Sequence, residues 1–496
     1  MEIYEAPWVV SGSRGRKVSE PIYLGVVTVV CLLAVYYLRL KCLYVLFIDA
    51  FIQNTALPFI YTSFGASRGL VASLLVSKEI LLSILFLWCI YVWKKEARRP
   101  WPKPVVILFL FTCYCTVRVG ISLASGDDPT QCFRKLRLVC LPLLFLTVAI
   151  TAAYTQPEFA KTFLRQMTYL LVALSLIGIL MWLLPPSDFW VSHANMATYG
   201  IEIKGDEPFQ YEEAEGITHT SSGREEFLLL APFRAFGTFG DPLAMGFALS
   251  SPVLILAFVY RKRWFTWPLV LILAVALFAT FDRSAWIFVF VVCAFIWYRR
   301  RRYKWLLALA LAPVIALLTI PPLAEFAQYE TRDLSWTHPE PEGHAGSIVY
   351  LYQHGFTDPR NLLGKGMRTE VEIMGESGYG WLLEHFGMPA FLLWVWFLIS
   401  MYRYLKLRES GLDQIPLLCE ALIVATFVVM HFSYYPFSFI GWIPIWYVFG
   451  QGVASPIVGT VAPRRSMESA ARVPQKLLPE ASEDADGNFG GAPQPS

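Results

Sequence analysis

The chain has 496 residues, of which 56% are apolar and 16% charged, and its net charge is +3. Soluble globular proteins carry roughly 25% charged residues, and the mean hydropathy here is +0.49. Several uncharged apolar stretches exceed about 18 residues, the length that a membrane helix needs. These properties exclude a soluble multidomain enzyme, a disordered chain and a coiled coil. The continuous apolar runs also argue against a transmembrane β-barrel, whose strands alternate in polarity.

The predicted elements are membrane helices. The first apolar run, 21–40, follows the basic stretch Arg14–Lys17, and no small-residue cleavage site comes after it. It is therefore predicted to be a membrane helix rather than a cleaved signal peptide. Further runs lie at about 42–62, 70–92, 104–123, 137–155, 167–185, 242–260, 264–281, 283–298, 305–322, 379–402, 412–432 and 434–451. The run 42–62 is the weakest because it contains Asp49, Gln53 and Asn54.

The distribution of basic residues predicts the orientation. The basic clusters are Lys94–Arg99, Arg261–Arg263, Arg299–Lys304 and Arg403–Arg408. Counting helices between them places all of these clusters on one side, which the positive-inside rule makes the cytoplasm. Two long loops, about 186–241 and 323–377, are then extracytoplasmic, and the first is acidic. From residue 70 onward only the short basic run Arg134–Arg137 falls on the wrong side.

The expected organisation is an all-α polytopic membrane protein with about 12 transmembrane helices, or 13 if every run spans. Twelve spans put both termini in the cytoplasm. The predicted parts are a cytoplasmic segment 1–20, a transmembrane domain 21–452 and a disordered cytoplasmic tail 462–496, which is rich in Ala, Pro, Glu, Ser and Gly. The sequence has no internal repeat of 20–50 residues and no evident pair of broken transporter-type helices.

Two arginines near the outer surface are candidate anion-binding residues. Arg234 lies in RAFGTFGDP just before the run that starts near Pro242, and Arg283 lies in the short turn TFDRS. Guanidinium groups stay charged and bind phosphate oxygens through two parallel hydrogen bonds, so two of them on one face suit a phosphate or diphosphate. The alternative is that each arginine snorkels to the interface or pairs with Asp241 or Asp282.

The second outer loop contributes candidates for acid–base chemistry. It carries His338, His344 and His354, but their spacing matches no compact zinc motif, so no metal site is expected. His344, in PEGHAGS, is a candidate base or acceptor-positioning group, or else an ordinary surface residue. Glu376, in ESGYGW, lies at the outer mouth of the long run 379–402. Its alternative role is that of a carboxylate stabilised at a helix N-terminus.

The segment NLLGKGM contains Gly364 and Gly366. It does not make a phosphate-binding P-loop because the spacing GxxxxGK[ST] is absent. The sequence likewise contains no HExxH, GxSxG or dinucleotide-binding motif. These absences remove the common soluble hydrolase and nucleotide-binding interpretations.

Three segments occur in a suggestive order along the chain. They are RAFGTFGDPLAMG at 234–246, TFDRSAW at 280–286 and LLGKGMRTEVEIMGESGYGWLLEHFGMPAFLL at 362–393. Together with the many helices, this order resembles the O-antigen ligase and Wzy-type polysaccharide polymerase superfamily over about residues 70–450. The motifs are short, so the resemblance depends on their order and placement rather than on any one of them.

The resemblance implies a metal-independent, cofactor-free membrane glycosyltransferase of the GT-C type. Such proteins take a glycan from undecaprenyl diphosphate at the outer face of the bacterial inner membrane, with the active site facing the periplasm or cell exterior. The implied partners are the undecaprenyl-diphosphate-linked oligosaccharide, membrane lipids, a flippase and a chain-length regulator. Arg234 and Arg283 match the two arginines that contact the lipid diphosphate in this superfamily.

The resemblance also bears on the type of transferase. Ligases commonly have a histidine where this segment begins with Glu376, so a polymerase is favoured over a ligase. Glu376 or His344 would orient or deprotonate the acceptor hydroxyl. Aromatic residues near the outer loops would hold sugars or form the usual interfacial belt. They are Tyr211, Tyr329, Trp336, Tyr350, Tyr352, Tyr379 and Trp381.

A transporter and a scaffolding membrane protein are the remaining alternatives. A transporter should have polar residues buried at mid-membrane depth, together with broken helices. Most mid-helix positions here are apolar, and Asp49 and the pair Lys78–Glu79 are the exceptions.

Overall fold

The structure is a computed structural model that describes residues 19–183, 242–261, 264–280, 282–319, 348–349, 351–367, 377–408, 414–437 and 439–455. Within these segments every regular element is helical and no strand occurs, which confirms the all-α fold class for this part of the chain. The helices are α1 Ser19–Leu38, α2 Cys42–Thr62, α3 Arg68–Leu75, α4 Ser77–Val92, α5 Lys103–Ala124, α6 Pro129–Thr155, α7 Pro157–Leu183, α8 Pro242–Leu254, α9 Thr266–Ala279, α10 Arg283–Arg299, α11 Tyr303–Thr319, α12 Gly378–Phe386, α13 Met388–Lys406, α14 Gln414–Val429 and α15 Phe439–Ala454.

Several of these helices are suited to a membrane. By length and composition, five described stretches can cross a bilayer, and a sixth is added if the bent pair of α3 and α4 counts as one span. The five are Pro21–Thr62, Lys103–Ala124, Pro129–Thr155, Pro157–Leu180 and Met388–Lys406. Large apolar side chains such as Leu87 and Val117 point outward from the bundle, as lipid-facing residues do. The protein is therefore membrane-embedded, and the larger number of spans stays a prediction.

The centre of the bundle is packed with large aromatic side chains. Trp394 of α13 and Trp442 and Trp446 of α15 are almost completely buried. Small residues let the helices approach closely around them: Gly450 of α15 lies directly against the backbone of Ala149 in α6. Helix association inside a membrane depends on such close packing because lipid provides no hydrophobic driving force.

Two predicted spans are broken rather than continuous. The run 70–92 divides at Val76 into α3 and α4, which are bent by 40°. The run 379–402 divides at Gly387, whose φ of 85° ends α12 before α13 begins. The apolar pattern indicated one candidate span for each run and predicted neither break. A left-handed glycine in an apolar run is a break that hydropathy alone does not detect.

One end of the bundle gathers the basic clusters, and we call it the basic end. Trp93, beside the cluster Lys94–Arg99, packs edge-to-face on Tyr154 at the end of α6. The Tyr154 hydroxyl donates to the carbonyl of Val453 at the end of α15, over 3.4 Å. Arg408 donates from Nε to the same carbonyl over 2.9 Å. The clusters that follow α4 and α13 therefore meet at the ends of α6 and α15.

The remaining clusters join the same end through α10 and α14. Arg300, at the C-terminus of α10, donates to the side chain of Gln414, which begins α14 shortly after Arg408. Burial, and then the nearby charges of Arg261 and Arg302, lower the pKa of Arg300. These interactions place the basic clusters together, as the count of helices predicted.

Segment 351–367 of the second long loop packs at the opposite end of the bundle, and we call this the loop end. The helices α6, α8 and α15 all begin at this end, where Gly441 of α15 touches Ala244 of α8. Gly246 of α8 in turn touches Asp282, which precedes α10. The 17 residues of α10 place Arg283 roughly 24 Å from the basic end.

Candidate functional site

Arg283 is the one predicted site residue that the structure describes, and it lies at the loop end. It is half-buried and is the first residue of α10. The preceding residue, Asp282, is 1% exposed and accepts a hydrogen bond from the amide of Ala285 over 3.1 Å, which caps the helix. This cap fixes the backbone where Arg283 begins the helix, and the binding of an anion by its side chain stays a prediction.

The cap is held by close packing on α8. A Cβ added at Gly246 would lie 2.7 Å from Oδ2 of Asp282, so only glycine allows this approach. One turn below, the rings of Phe247, Phe288 and Trp442 meet with centroids 5.4–6.0 Å apart. These three rings join α8, α10 and α15. The backbone of Arg283, at the start of α10, therefore lies at a closely packed junction of three helices.

A second feature of the loop end is the attachment of segment 358–367 to the bundle. The amide of Met367 donates to Oδ2 of Asp127 over 2.9 Å. Nζ of Lys365 donates to Oε1 of Glu384 over 2.9 Å, and Arg118 donates to the carbonyl of Gly364 over 3.3 Å. Asp127 and Glu384 are buried. The NLLGKGM segment is therefore a structural clamp on α5, α6 and α12.

The contacts of Lys135 help to explain the basic run Arg134–Arg137, which departs from the positive-inside rule. Its side chain is buried, and Nζ lies 3.5 Å from the carbonyl of Met367 and 3.2 Å from Nδ1 of His385. Arg137, two residues further along α6, pairs with Glu79 of α4 over 3.3 Å. Lys135 and Arg137 of this run thus have partners at the loop end, so these two charges do not act as free topological signals there.

Glycines permit the close crossing of the clamp over the break between α12 and α13. Gly364 has a φ of 81°, and a Cβ there would lie 2.7 Å from the carbonyl oxygen of His385. Gly387 has a φ of 85°, and a Cβ there would lie 2.5 Å from the carbonyl carbon of Leu363. The two backbones lie in direct contact. The glycines of this motif therefore serve packing rather than phosphate binding.

His431 forms a group that the sequence analysis did not single out. It follows α14 at the loop end and is half-buried. Its Nδ1 lies 3.2 Å from the carbonyl of Val428, and its Nε2 lies 3.0 Å from the hydroxyl of Tyr352. A carbonyl oxygen only accepts, so Nδ1 carries the proton in that contact, and in the neutral imidazole Nε2 is then the acceptor for the Tyr352 hydroxyl. This arrangement leaves a basic nitrogen facing a hydroxyl.

The surroundings of His431 are aromatic. The exposed ring of Tyr352 lies nearly parallel to the imidazole, at 17°, and the ring of Tyr379 meets it edge-to-face at 4.9 Å. Tyr379 and Trp381 are only 2% and 3% exposed. They are core residues, which argues against the alternative in which these two rings hold sugars. Tyr352 remains exposed and available for stacking.

The other predicted residues lie outside the described part of the chain. These are Arg234, His344 and Glu376. Glu376 is followed by Ser377, whose hydroxyl accepts from the amide of Gly380 and donates to the carbonyl of Met430 over 3.3 Å. Ser377 is thus the N-cap of α12. Among the residues that the structure covers, no group of three or more His, Cys, Asp or Glu side chains could hold a metal ion.

A buried polar network lies at the break between α3 and α4. Lys78 is 4% exposed and donates to the side chain of Gln53 and to the carbonyl of Leu75 over 2.9 Å. The hydroxyl of Ser77 donates to Asp49 over 2.8 Å. The polar residues noted in these apolar runs are therefore brought together. Such networks inside membrane proteins are costly and often functional.

A comparison with models of known protein families finds no match, and a comparison with curated proteins finds no similar sequence. The resemblance to the ligase and polymerase superfamily therefore depends on the motifs in the chain itself.

Proposed function

We propose that this protein is a polysaccharide polymerase, which joins undecaprenyl-diphosphate-linked oligosaccharide units at the outer face of the bacterial inner membrane. The observation that carries the proposal is the position of Arg283. This arginine starts a capped helix at the loop end, away from the basic clusters. A guanidinium carried at that helix start suits a lipid diphosphate that approaches from the outer leaflet.

The proposed reaction is a glycosyl transfer. An acceptor hydroxyl oxygen attacks the anomeric carbon of the donor, the bond from that carbon to the diphosphate oxygen breaks, and its electron pair stays on the diphosphate. Negative charge grows on the leaving group, so Arg283 and Arg234 stabilise the transition state more than the ground state. The two guanidinium groups supply positive charge of the kind that a divalent metal provides in other transferases.

The acceptor must be oriented and must lose its proton. Glu376 and His344 are the candidates from the sequence, and His431 is the candidate from the structure. When Nε2 of His431 is unprotonated, the Tyr352 hydroxyl can give its proton to Nε2 and take the proton of the acceptor hydroxyl. The exposed Tyr352 ring provides an apolar face next to this nitrogen for a sugar.

Two other functions make different predictions. A glycan ligase of the same superfamily would move finished polymer from undecaprenyl diphosphate to another acceptor. A transporter is favoured by one observation, the buried network of Lys78, Gln53 and Asp49 at a helix break. This network does not involve Arg283, which the proposed glycosyl transfer requires. The products that accumulate without the protein therefore distinguish the three functions.

The test is a profile of lipid-linked glycans from a deletion strain beside the wild type. A polymerase predicts single repeat units on undecaprenyl diphosphate and no polymer. Full-length polymer stranded on the lipid carrier would instead identify a ligase. An unchanged profile would reject both transferases and bring the transporter forward. Reintroducing the intact gene provides the control.

A further inference from the structure

A groove at the basic end lies between α5 and α13. It encloses about 180 Å³, and its lining includes Lys103, the first residue of α5, and Arg403, in the last turn of α13. Both cationic side chains are exposed. No carboxylate is among the lining residues. Two cations from different helices therefore face one cleft without an acidic residue in it.

The groove is apolar on the side nearer the middle of the membrane. Trp396 and Ile399 line it on the same face of α13 as Arg403, and they are 47% and 45% exposed. Leu392, one turn further, is 56% exposed and continues the stripe. The distance along α13 from Arg403 to Leu392 is roughly 16 Å, close to the ~15 Å of one leaflet's hydrocarbon.

Ser400 adds a polar group between the cations and the apolar stripe. It lines the groove and is 8% exposed. From Arg403 inward along α13 the lining is therefore a cation, one hydroxyl and an apolar wall, while Tyr404 and Leu407 line the groove on the surface side of Arg403. This order matches the phosphate, the ester region and the acyl chain of a phospholipid. A free phosphate ion would make no use of the apolar wall.

We propose that this groove binds one anionic phospholipid, with its phosphate between Lys103 and Arg403 and an acyl chain along Trp396 and Ile399. Lysine supplies a point charge and arginine a two-bond fork, so together they hold a phosphate. The site lies at the basic end, a full helix length from Arg283. It is independent of the glycosyl-transfer site.

The test is native mass spectrometry of the purified full chain with equal amounts of phosphatidylglycerol and phosphatidylcholine. The wild type is expected to retain phosphatidylglycerol preferentially. The double variant Lys103→Gln/Arg403→Gln should lose most of that preference, by about 30-fold in affinity, since each surface cation contributes to anionic-lipid binding. The matched control is Arg302→Gln/Lys304→Gln, which removes the same charge from exposed residues at the same end.

The outcomes separate the sources of binding. Equal losses in both double variants would overturn the proposal, because the effect would then be general surface charge. Displacement of phosphatidylglycerol by millimolar inorganic phosphate would assign the cleft to a free anion instead. The variant Trp396→Ala should weaken retention of the lipid without changing the net charge. Retention unchanged in Trp396→Ala would also contradict the proposed acyl-chain contact.

Discussion

At Arg283 the backbone is held by the residue before it. Asp282 caps α10 and packs on Gly246, so the arginine emerges from a fixed point at the loop end. The sequence could propose Arg283 as an anion ligand from its place in TFDRS. It could not reveal that Asp282 packs on α8. Gly246 lies 36 positions before Asp282, and nothing in the local sequence links the two residues.

Replacing Arg283 should abolish polymer formation while the protein still reaches the membrane. Arg283→Ala is expected to lower the transfer rate by about 10²–10³, the usual effect of losing one charge-stabilising donor. Arg283→Lys should recover only part, because a point charge cannot reproduce the two-bond fork. Polymer yield per molecule of membrane protein is the measurement. Arg302→Ala, at the exposed basic end, is the control, and normal polymer from Arg283→Ala would remove this residue from the mechanism.

His431 is a residue-scale prediction of a different kind. His431→Gln keeps a polar side chain but removes the basic nitrogen, so transfer should fall by about 10²–10⁴ if this group takes the acceptor proton. Tyr352→Phe removes the hydroxyl and keeps the ring, and we expect a smaller loss. The transfer rate per molecule of membrane protein is the measurement, with Arg302→Ala as the control. A wild-type rate in His431→Gln would leave His431 a packing residue.

At the scale of single helices, hydropathy does not detect a break inside an apolar run. The apolar runs at 70–92 and 379–402 were each one candidate span, and each contains a break. The second break arises because the clamp segment crosses it, so Gly387 meets Leu363 backbone to backbone. A long-range contact of this kind determines whether an apolar run bends. The same contact explains the glycine at position 364 of NLLGKGM, which the spacing of the motif did not explain.

Gly387→Ala should destabilise the clamp. The change places a Cβ 2.5 Å from the carbonyl carbon of Leu363, in a backbone conformation that alanine rarely adopts. The backbone strain alone should destabilise the folded protein by about 1–3 kcal/mol. The loss should appear as a lower unfolding temperature of the detergent-solubilised protein. Gly120→Ala is the matched control, because a Cβ there meets nothing within 4 Å. Equal stability of both variants would contradict the close crossing.

At the scale of the whole molecule, the charges are sorted between two ends. The basic clusters meet through hydrogen bonds at the ends of α6, α10 and α15. Lys135 and Arg137 are the departures, and the structure gives them partners in the clamp and in Glu79. The sequence predicted the sorting because a helix carries its termini to opposite ends. It could not predict the partners of the departures.

The sorting predicts which positions are accessible from each side of the membrane. Leu362→Cys, at the loop end and 61% exposed, should react with a membrane-impermeant maleimide in spheroplasts. Lys304→Cys, exposed at the basic end, should react only after lysis. The wild type provides the background, since its cysteines lie in apolar helices. Reaction of both variants in intact spheroplasts would contradict the orientation.

The sequence by itself determined the class of the molecule, its helical elements and the separation of its charges. Composition and periodicity are local properties, and a membrane leaves helices as the main way to satisfy the backbone. Only the tertiary structure decided which helices break, which charges are buried and where His431 faces. Those features depend on contacts between residues far apart in the chain, such as Lys135 with His385. Local pattern does not specify such contacts, because they form only when the helices pack together.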